Sequence, residues 1–170
     1  MEHKGTTVIT SKRLLLRRFA IEDAEAMFHN WASDPDVCRF LTWPPHPDVN
    51  VTRRILQNWI TSYAQPNFYQ WAIALQEHPH NVIGSISVVA QNEELDLVHI
   101  GYCLGKEWWH QHITSEAFTA IIPFLFEEVK ANRIETRHDP DNPNSGRVMR
   151  SCGLTYEGTA READRSNCGI

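Results

Sequence analysis

The stretch from Tyr69 to Leu104 constrains the fold more than any other part of the chain. It holds three apolar-rich runs, "YQWAIAL", "NVIGSISVVA" and "LDLVHIGYCL", joined by the polar turns "QEHPHN" and "QNEE". A crossover between parallel strands takes about a dozen residues or more, and turns this short cannot supply it. The three runs therefore predict an antiparallel meander.

The flanking segments alternate strand and helix. "RLLLRRF" (Arg13 to Phe19) predicts a first strand, with Leu14, Leu16 and the Arg18 stem on one face. "AIEDAEAMFHNWA" predicts a helix whose apolar side is Ile21, Ala24, Phe28 and Trp31, with Glu22 and Asp23 at the positive end of its dipole. The proline-rich "SDPDVCRFLTWPPHPDV" predicts a loop with a short turn. "NVTRRILQNWITSYA" predicts a second amphipathic helix on Val51, Ile55, Trp59 and Ile60. Beyond the meander, Ser115 to about Lys130 predicts a helix burying Ala117, Ile121, Phe124, Leu125 and Val129, kinked at Pro123. "RIETRHD" predicts a strand, "NPNSGRVMRSCG" a helix from near Asn142 to a left-handed cap at Gly153, and "LTYEGTARE" a last strand. The order β-α-α-β-β-β-α-β-α-β predicts an α/β sandwich on a mixed sheet. With no repeat, low-complexity tract or long linker, residues 1–170 read as a single domain.

Composition narrows the function classes. The net charge of −5 argues against a broad nucleic-acid surface, which needs excess cations. No apolar run approaches the ~20 residues needed to span a bilayer, so no membrane role is expected. "MEHKGTTVIT" lacks the apolar stretch of a signal peptide. Cys38, Cys103, Cys152 and Cys168 form no C-x-x-C pair and read as reduced thiols of a cytoplasmic protein. The histidines make no H-x-x-x-H pair, so no metal is expected.

Function-bearing chemistry concentrates in "EWWHQHITSEAF" (Glu107 to Phe118). A loop opening on a helix N-terminus presents free backbone N–H groups to an anion, and any residue except proline supplies them. The bland alternative is a capped helix start with surface histidines and no ligand; in the anion-site reading Thr114 or Ser115 is expected to cap the helix that Glu116 begins.

Three stretches carry a resemblance: "HIGYCLGKEWWHQHITSEA", "NRIETRHDPDNPNSGRVMRSCGLTYEGTARE" and "TSKRLLLRRFAIEDAEAMFHNWASDPDV". Together, from about Thr10 to Glu162, they resemble the GNAT superfamily of acetyl-CoA-dependent N-acetyltransferases. The closer likeness is to the ribosomal-protein N-terminal acetyltransferase (RimJ/RimL-like) branch. The resemblance implies a GNAT-type mixed, mostly antiparallel central sheet flanked by helices on both faces. Its pyrophosphate loop, Gln/Arg-x-x-Gly-x-Gly/Ala, is matched by Trp109, His110, Gln111, His112, Ile113 and Thr114, followed by Ser115. His112 stands where the family has its central glycine, so a positive φ is expected to fall on it; histidine tolerates that better than most side chains.

The same resemblance implies that the backbone of Tyr102, Cys103 and Leu104 lies beside the pantetheine arm and supplies an oxyanion donor. Asn142 and Ser145 match the family's Asn-x-x-Ser: the asparagine is expected to contact the pantetheine and the serine to protonate the departing thiolate. Helix capping alone would also explain both. His99 lies where relatives often place a glutamate, and histidine exchanges protons near neutrality, so it is the candidate base. An inert strand-face histidine is the alternative, with Glu93, Glu94 and Asp96 as substitutes for binding a cationic amine or relaying protons. A covalent route through Cys103 is disfavoured, because no base neighbours it in sequence. Trp43, beside two prolines, is expected to line the acceptor side.

These residues imply direct acetyl transfer from acetyl-CoA, as co-substrate, to a primary amine on a protein N-terminus or small molecule. A non-catalytic acyl-CoA-binding module and a plain α/β domain remain the rivals. The family's final, seventh strand is expected to be lacking after "READRSNCGI". That would expose sheet edges, either because the chain is shortened or because a second copy covers them as a homodimer.

Overall fold

The computed structural model describes residues Met1 to Ile170, and the meander is its centre. Strands β1 (Ile9–Thr10), β2 (Leu14–Arg17), β3 (Gln70–Leu75), β4 (Val82–Asn92), β5 (Leu97–Leu104) and β6 (Arg133–Glu135) form one sheet in chain order. Neighbours run antiparallel up to β5; β5 and β6 run parallel, from Leu97 opposite Arg133 to His99 opposite Glu135.

Helices cover both faces. Helix α1 (Ala24–Met27) is one turn between a 3₁₀ turn, Ile21–Asp23, and a π turn, Phe28–Ala32. Helices α2 (Pro35–Cys38) and α3 (Val49–Ser62) follow. Helix α4 (Ile113–Pro123) runs on into a π turn, Phe124–Glu128, and α5 (Pro143–Ser151) closes the order. On one face, Trp71, Ile73, Ile86, Val98 and Ile100 pack with Ile113, Ala117, Phe118 and Ile121 of α4. On the other, Ala72 and Val82 pack with Ala24, Met27, Trp31 and Leu56. Each large apolar side chain buried in this way contributes about 1.5–3 kcal/mol.

Several expectations change in detail. Ile21 is exposed and Phe28 only half-buried; Ala24, Met27 and Trp31 form the inward face. The widened π turn after Met27 rotates the following residues away from simple helical spacing. In α3 the centre is Thr52 and Leu56, while Val51, Ile55, Trp59 and Ile60 flank it half-buried. A polar residue fits there because His46 Nδ1 lies 2.8 Å from Thr52 Oγ1. Arg18 lies outside β2 and is exposed, its guanidinium over the Tyr63 ring. Helix α4 begins at Ile113, two residues earlier than expected, and its cap is His112 rather than Thr114 or Ser115. Pro123 ends the α-helical part, and the chain continues through a wider turn.

The largest change concerns "LTYEGTARE". It forms no strand, and from Thr155 onward its side chains are exposed. Its β-branched and aromatic residues favour strand, but no apolar face opposes them, so propensity has nothing to pack against. Gly158 also bends the backbone there, with φ +143°.

Candidate active site

The site is built where β5 and β6 part. Their pairing ends at His99 opposite Glu135, and β5 continues for five more residues with one edge bare of any strand. Thr136 Oγ1 donates to the Ile100 carbonyl (2.8 Å) and Trp109 Nε1 to the Leu104 carbonyl (2.8 Å) along that edge. Gly105 N–H donates the other way, to Ile83 O of the β4 side (2.8 Å). Antiparallel alternation therefore turns the Cys103 amide toward β4 and the Tyr102 and Leu104 N–H groups toward the open edge.

After β5, a short 3₁₀ turn, Lys106–Trp108, leads into the loop. His110 and His112 both take the left-handed region, φ +60° and φ +59°. The amides of residues 110–115 donate to no acceptor within the chain; the first helical bond is Glu116 N to His112 O (3.0 Å). Six consecutive free N–H groups at a helix N-terminus form a cradle for a polyanion without any glycine. The loop is also fixed from outside. Arg13 Nη2 donates to the Gln111 carbonyl (2.9 Å), and Arg13 Nε to Glu116 Oε2 (2.7 Å). Ser11 Oγ and the Arg13 amide both donate to Glu116 Oε1, at 2.7 and 2.8 Å. Burial opposes charge on Glu116, yet these hydrogen bonds hold its carboxyl below the usual range.

Helix α5 faces the open edge across the gap. Tyr102 Oη lies 2.9 Å from Ser145 Oγ and donates to the Ser145 carbonyl (3.1 Å). Burial pushes the Tyr102 phenol up to about 12, with the Ser145 hydrogen bond partly opposing it. Asn142 caps α5, its Oδ1 accepting from the Ser145 amide (3.3 Å); its NH₂ remains free to donate. Cys152 Sγ contacts the Ser115 carbonyl (3.4 Å), so the helix carrying Ser145 is packed beside the helix carrying the cradle.

At the apex of the fork, His99 Nδ1 lies 3.3 Å from Glu135 Oε1, with both side chains half-buried. Glu135 also receives Arg133 Nε at 3.4 Å. Glu93 pairs with His3, Asp96 accepts from the Met1 amino group, and Glu94 is exposed in the β4–β5 turn. Glu93 and Asp96 are thus already engaged by the N-terminal segment, whereas Glu94 has no such partner. Cys103 points to the α1–α3 face, 3.4 Å from Ser85 Oγ; burial pushes its thiol up against hydrogen bonds from Ser85. Trp43 is half-buried at the edge of that face, its ring 5.3 Å from His46. The Trp43 carbonyl accepts from Asn167 Nδ2 (2.7 Å), so the C-terminal turn lies against this loop.

Four participants escape a reading of the sequence alone. Glu135 meets His99 only through strand register, and Arg13 reaches Glu116 across the sheet edge. Gln70 and Ser87 are cross-strand partners on the α1–α3 face, 7% and 8% exposed. A glutamine inside the otherwise apolar "YQWAIAL" is the one available signal for the last pair.

Comparison with known proteins agrees with this geometry. The acetyltransferase (GNAT) domain family matches residues 13–155. The uncharacterized N-acetyltransferase p20 of Bacillus licheniformis is 30% identical over 158 residues, covering 92% of this chain and 86% of the relative. A GNAT-family acetyltransferase structure from Bacillus anthracis superposes with a TM-score of 0.82 at 24% identity, covering 96% of this chain and 92% of that one. RimL, a ribosomal L7/L12 alpha-N-protein acetyltransferase solved in complex with coenzyme A, superposes with a TM-score of 0.83 at 22% identity, covering 96% and 92%. With the matched domain spanning most of its length and the sheet forked at β5, the chain belongs to the GNAT family of N-acetyltransferases.

Proposed function

We propose that the protein moves an acetyl group from acetyl-CoA directly to a primary amine in the cytoplasm. The observation that carries this reading is the continuity of free donors. The six unpartnered amides of residues 110–115 lead to the bare edge of β5 at Tyr102, and that edge faces Ser145. An anionic head, an extended amide-bearing arm and a thioester match that series in order.

Each residue then has a task. Amides of residues 110–115 hold the pyrophosphate, helped by the α4 dipole, and Trp109 leads the chain into that cradle. The open edge at Tyr102 and Leu104 pairs with the pantetheine amides. One of their N–H groups donates to the carbonyl oxygen as it gains charge. Ser145 Oγ, hydrogen-bonded to Tyr102 Oη, delivers a proton to the departing sulfur. Tyr102 stays protonated under ordinary conditions and replenishes it. The free NH₂ of Asn142 orients the arm. His99 takes a proton from the incoming amine, with Glu135 orienting the imidazole through Nδ1. Trp43 lines the approach of the amine. A buried thiol with a raised pKa is a poor nucleophile, which favours direct transfer over a Cys103 acyl-enzyme.

Calorimetric titration with acetyl-CoA, followed by a thiol-release assay across a panel of primary amines, tests this reading. Saturable binding with amine-dependent thiol release supports it. Binding without release with any amine points to the acyl-CoA-binding module. No binding at millimolar acetyl-CoA overturns both.

A further inference from the structure

The α1–α3 face of the sheet carries a polar row inside an apolar layer. Gln70 on β3 pairs with Ser87 on β4, and Ser87 pairs with Gly101 on β5. In the next row Ala72 pairs with Ser85, and Ser85 with Cys103. Gln70, Ser87 and Ser85 are each more than nine-tenths buried. Ser85 Oγ is accounted for by Cys103 Sγ, whereas the Gln70 carboxamide and the Ser87 hydroxyl have no partner in the chain. The one side-chain oxygen sealed from solvent without a partner is Gln91 Oε1, so the polar atoms of Gln70 and Ser87 still reach open space.

Two hydrogen-bonding groups side by side in an apolar layer, neither bonded within the chain and each with an atom open to space, are available to a ligand. Gly101, at the β5 end of the row, is two residues from His99 and adjacent to Tyr102. The row thus ends at the strand where the thioester is proposed to lie. The one charged residue in either row, Arg17 opposite Ala72 on β2, is already neutralised by Asp23, whose Oδ2 lies 2.8 Å from its Nη1.

We infer that Gln70 and Ser87 form the specificity subsite for the acceptor, and that they select an amine bearing a neutral hydrogen-bonding group, an amide or a hydroxyl, close to its nitrogen. This rests on the acetyl-transfer reading above. A carboxamide and a hydroxyl each both donate and accept, so together they complement an uncharged group of the same kind. An apolar group would leave both unpaired, and an ionised one would be buried without a counter-charge.

Glycinamide and isobutylamine have the same heavy-atom shape and differ in the amide, and glycine adds the charged case. The ratio of kcat/KM for glycinamide to that for isobutylamine is measured in the wild type, in Gln70→Met and in Ser87→Ala. Comparing ratios cancels the difference in amine basicity. The ratio is expected to fall about tenfold or more in each variant, as expected for a site built to hydrogen-bond its substrate. The acetyl-CoA dissociation constant should be unchanged. The thermal midpoint should be unchanged, since neither side chain makes a hydrogen bond within the chain that the substitution would remove. An unchanged ratio overturns the inference, as does acetyl-CoA binding without acetylation of any amide- or hydroxyl-bearing amine. A lowered midpoint in both variants also overturns it, by showing a structural role. Failure of acetyl-CoA to bind the wild type is a separate result, which removes the acetyl-transfer reading itself.

Discussion

Tyr102 Oη and Ser145 Oγ lie 2.9 Å apart, joining the bare edge of β5 to the first turn of α5. Neither hydroxyl is positioned by a neighbour in sequence. Tyr102 is held by the strand and by the Phe118 ring, 5.8 Å away between centroids. Ser145 is held by the hydrogen bond that its backbone N–H donates to Asn142 Oδ1. The pair forms a two-oxygen path along which a proton can reach the gap.

Ser145→Ala is expected to lower kcat by about tenfold to a hundredfold, the range of a lost general acid, with acetyl-CoA affinity nearly unchanged. Tyr102→Phe should give a similar loss, and the double variant should be little worse than either single one, because the two act in series. Steady-state kinetics on the three variants checks this; additive losses would mean separate roles.

The same phenol supplies a pH prediction. Tyr102 and Tyr63 are both pushed up to about 12, chiefly by burial, from an ordinary value near 10. In each case the unfolded chain loses its proton first. Their stabilisation is therefore intact below pH 10 and lost as pH rises through 12. Thermal midpoints should decline across that window, and less steeply in Tyr102→Phe. Far-UV circular dichroism melts between pH 9 and 12 measure it.

His112 carries φ +59° without a glycine. His112→Gly should match or exceed wild-type stability by up to about 1 kcal/mol, since the left-handed region is free of strain for glycine. His112→Val should lose about 1–2 kcal/mol, because a β-branched residue is disfavoured there. Acetyl-CoA affinity should survive in the glycine variant, as the amides remain. Denaturant titration and calorimetry on both variants decide the point.

Arg13 reaches the cradle only through others, holding Gln111 O and Glu116 at once. Arg13→Ala should raise the dissociation constant for acetyl-CoA about threefold to tenfold and leave kcat within about twofold, the pattern of lost binding rather than lost chemistry. Arg13→Lys should rescue little, because an ammonium cannot reproduce the guanidinium fork.

His99→Gln should lower kcat about tenfold to a hundredfold, the range of a lost general base, with acetyl-CoA affinity nearly unchanged. Glu135→Gln should lower kcat severalfold, since the imidazole loses the carboxylate that orients it. Cys103→Ala, in contrast, should stay within about threefold of wild type. Trapping of a labelled acyl-protein in the wild type would reverse that expectation.

The parts legible in the sequence share one property: local pattern and tertiary surroundings agree. Alternation in "YQWAIAL" and "LDLVHIGYCL" matches β3 and β5 closely, because both are buried by helices on each side. The left-handed backbone at His112 could be anticipated from the position it occupies in the loop pattern. The misreadings arise where local preference meets no tertiary support. Thr114 and Ser115 are better caps than histidine, but the loop geometry starts the helix earlier. "LTYEGTARE" favours strand, yet it meets β6 only through the Glu157–Arg133 ion pair and leaves the outer edge of that strand unpaired. Glu135 and Ser87 could not be found at all, because their roles come from register between strands far apart in the chain.

β5 belongs to two neighbourhoods at once. Tyr102 and Leu104 look toward α4, while Gly101 and Cys103 look toward α1 and α3. Changes at Gln70, Ala72, Ser85 or Ser87, or in the loop around Trp43, alter one neighbourhood and leave the other as it was. A lineage built on this fork can exchange one amine for another by drift on that side alone, inheriting its thioester chemistry intact.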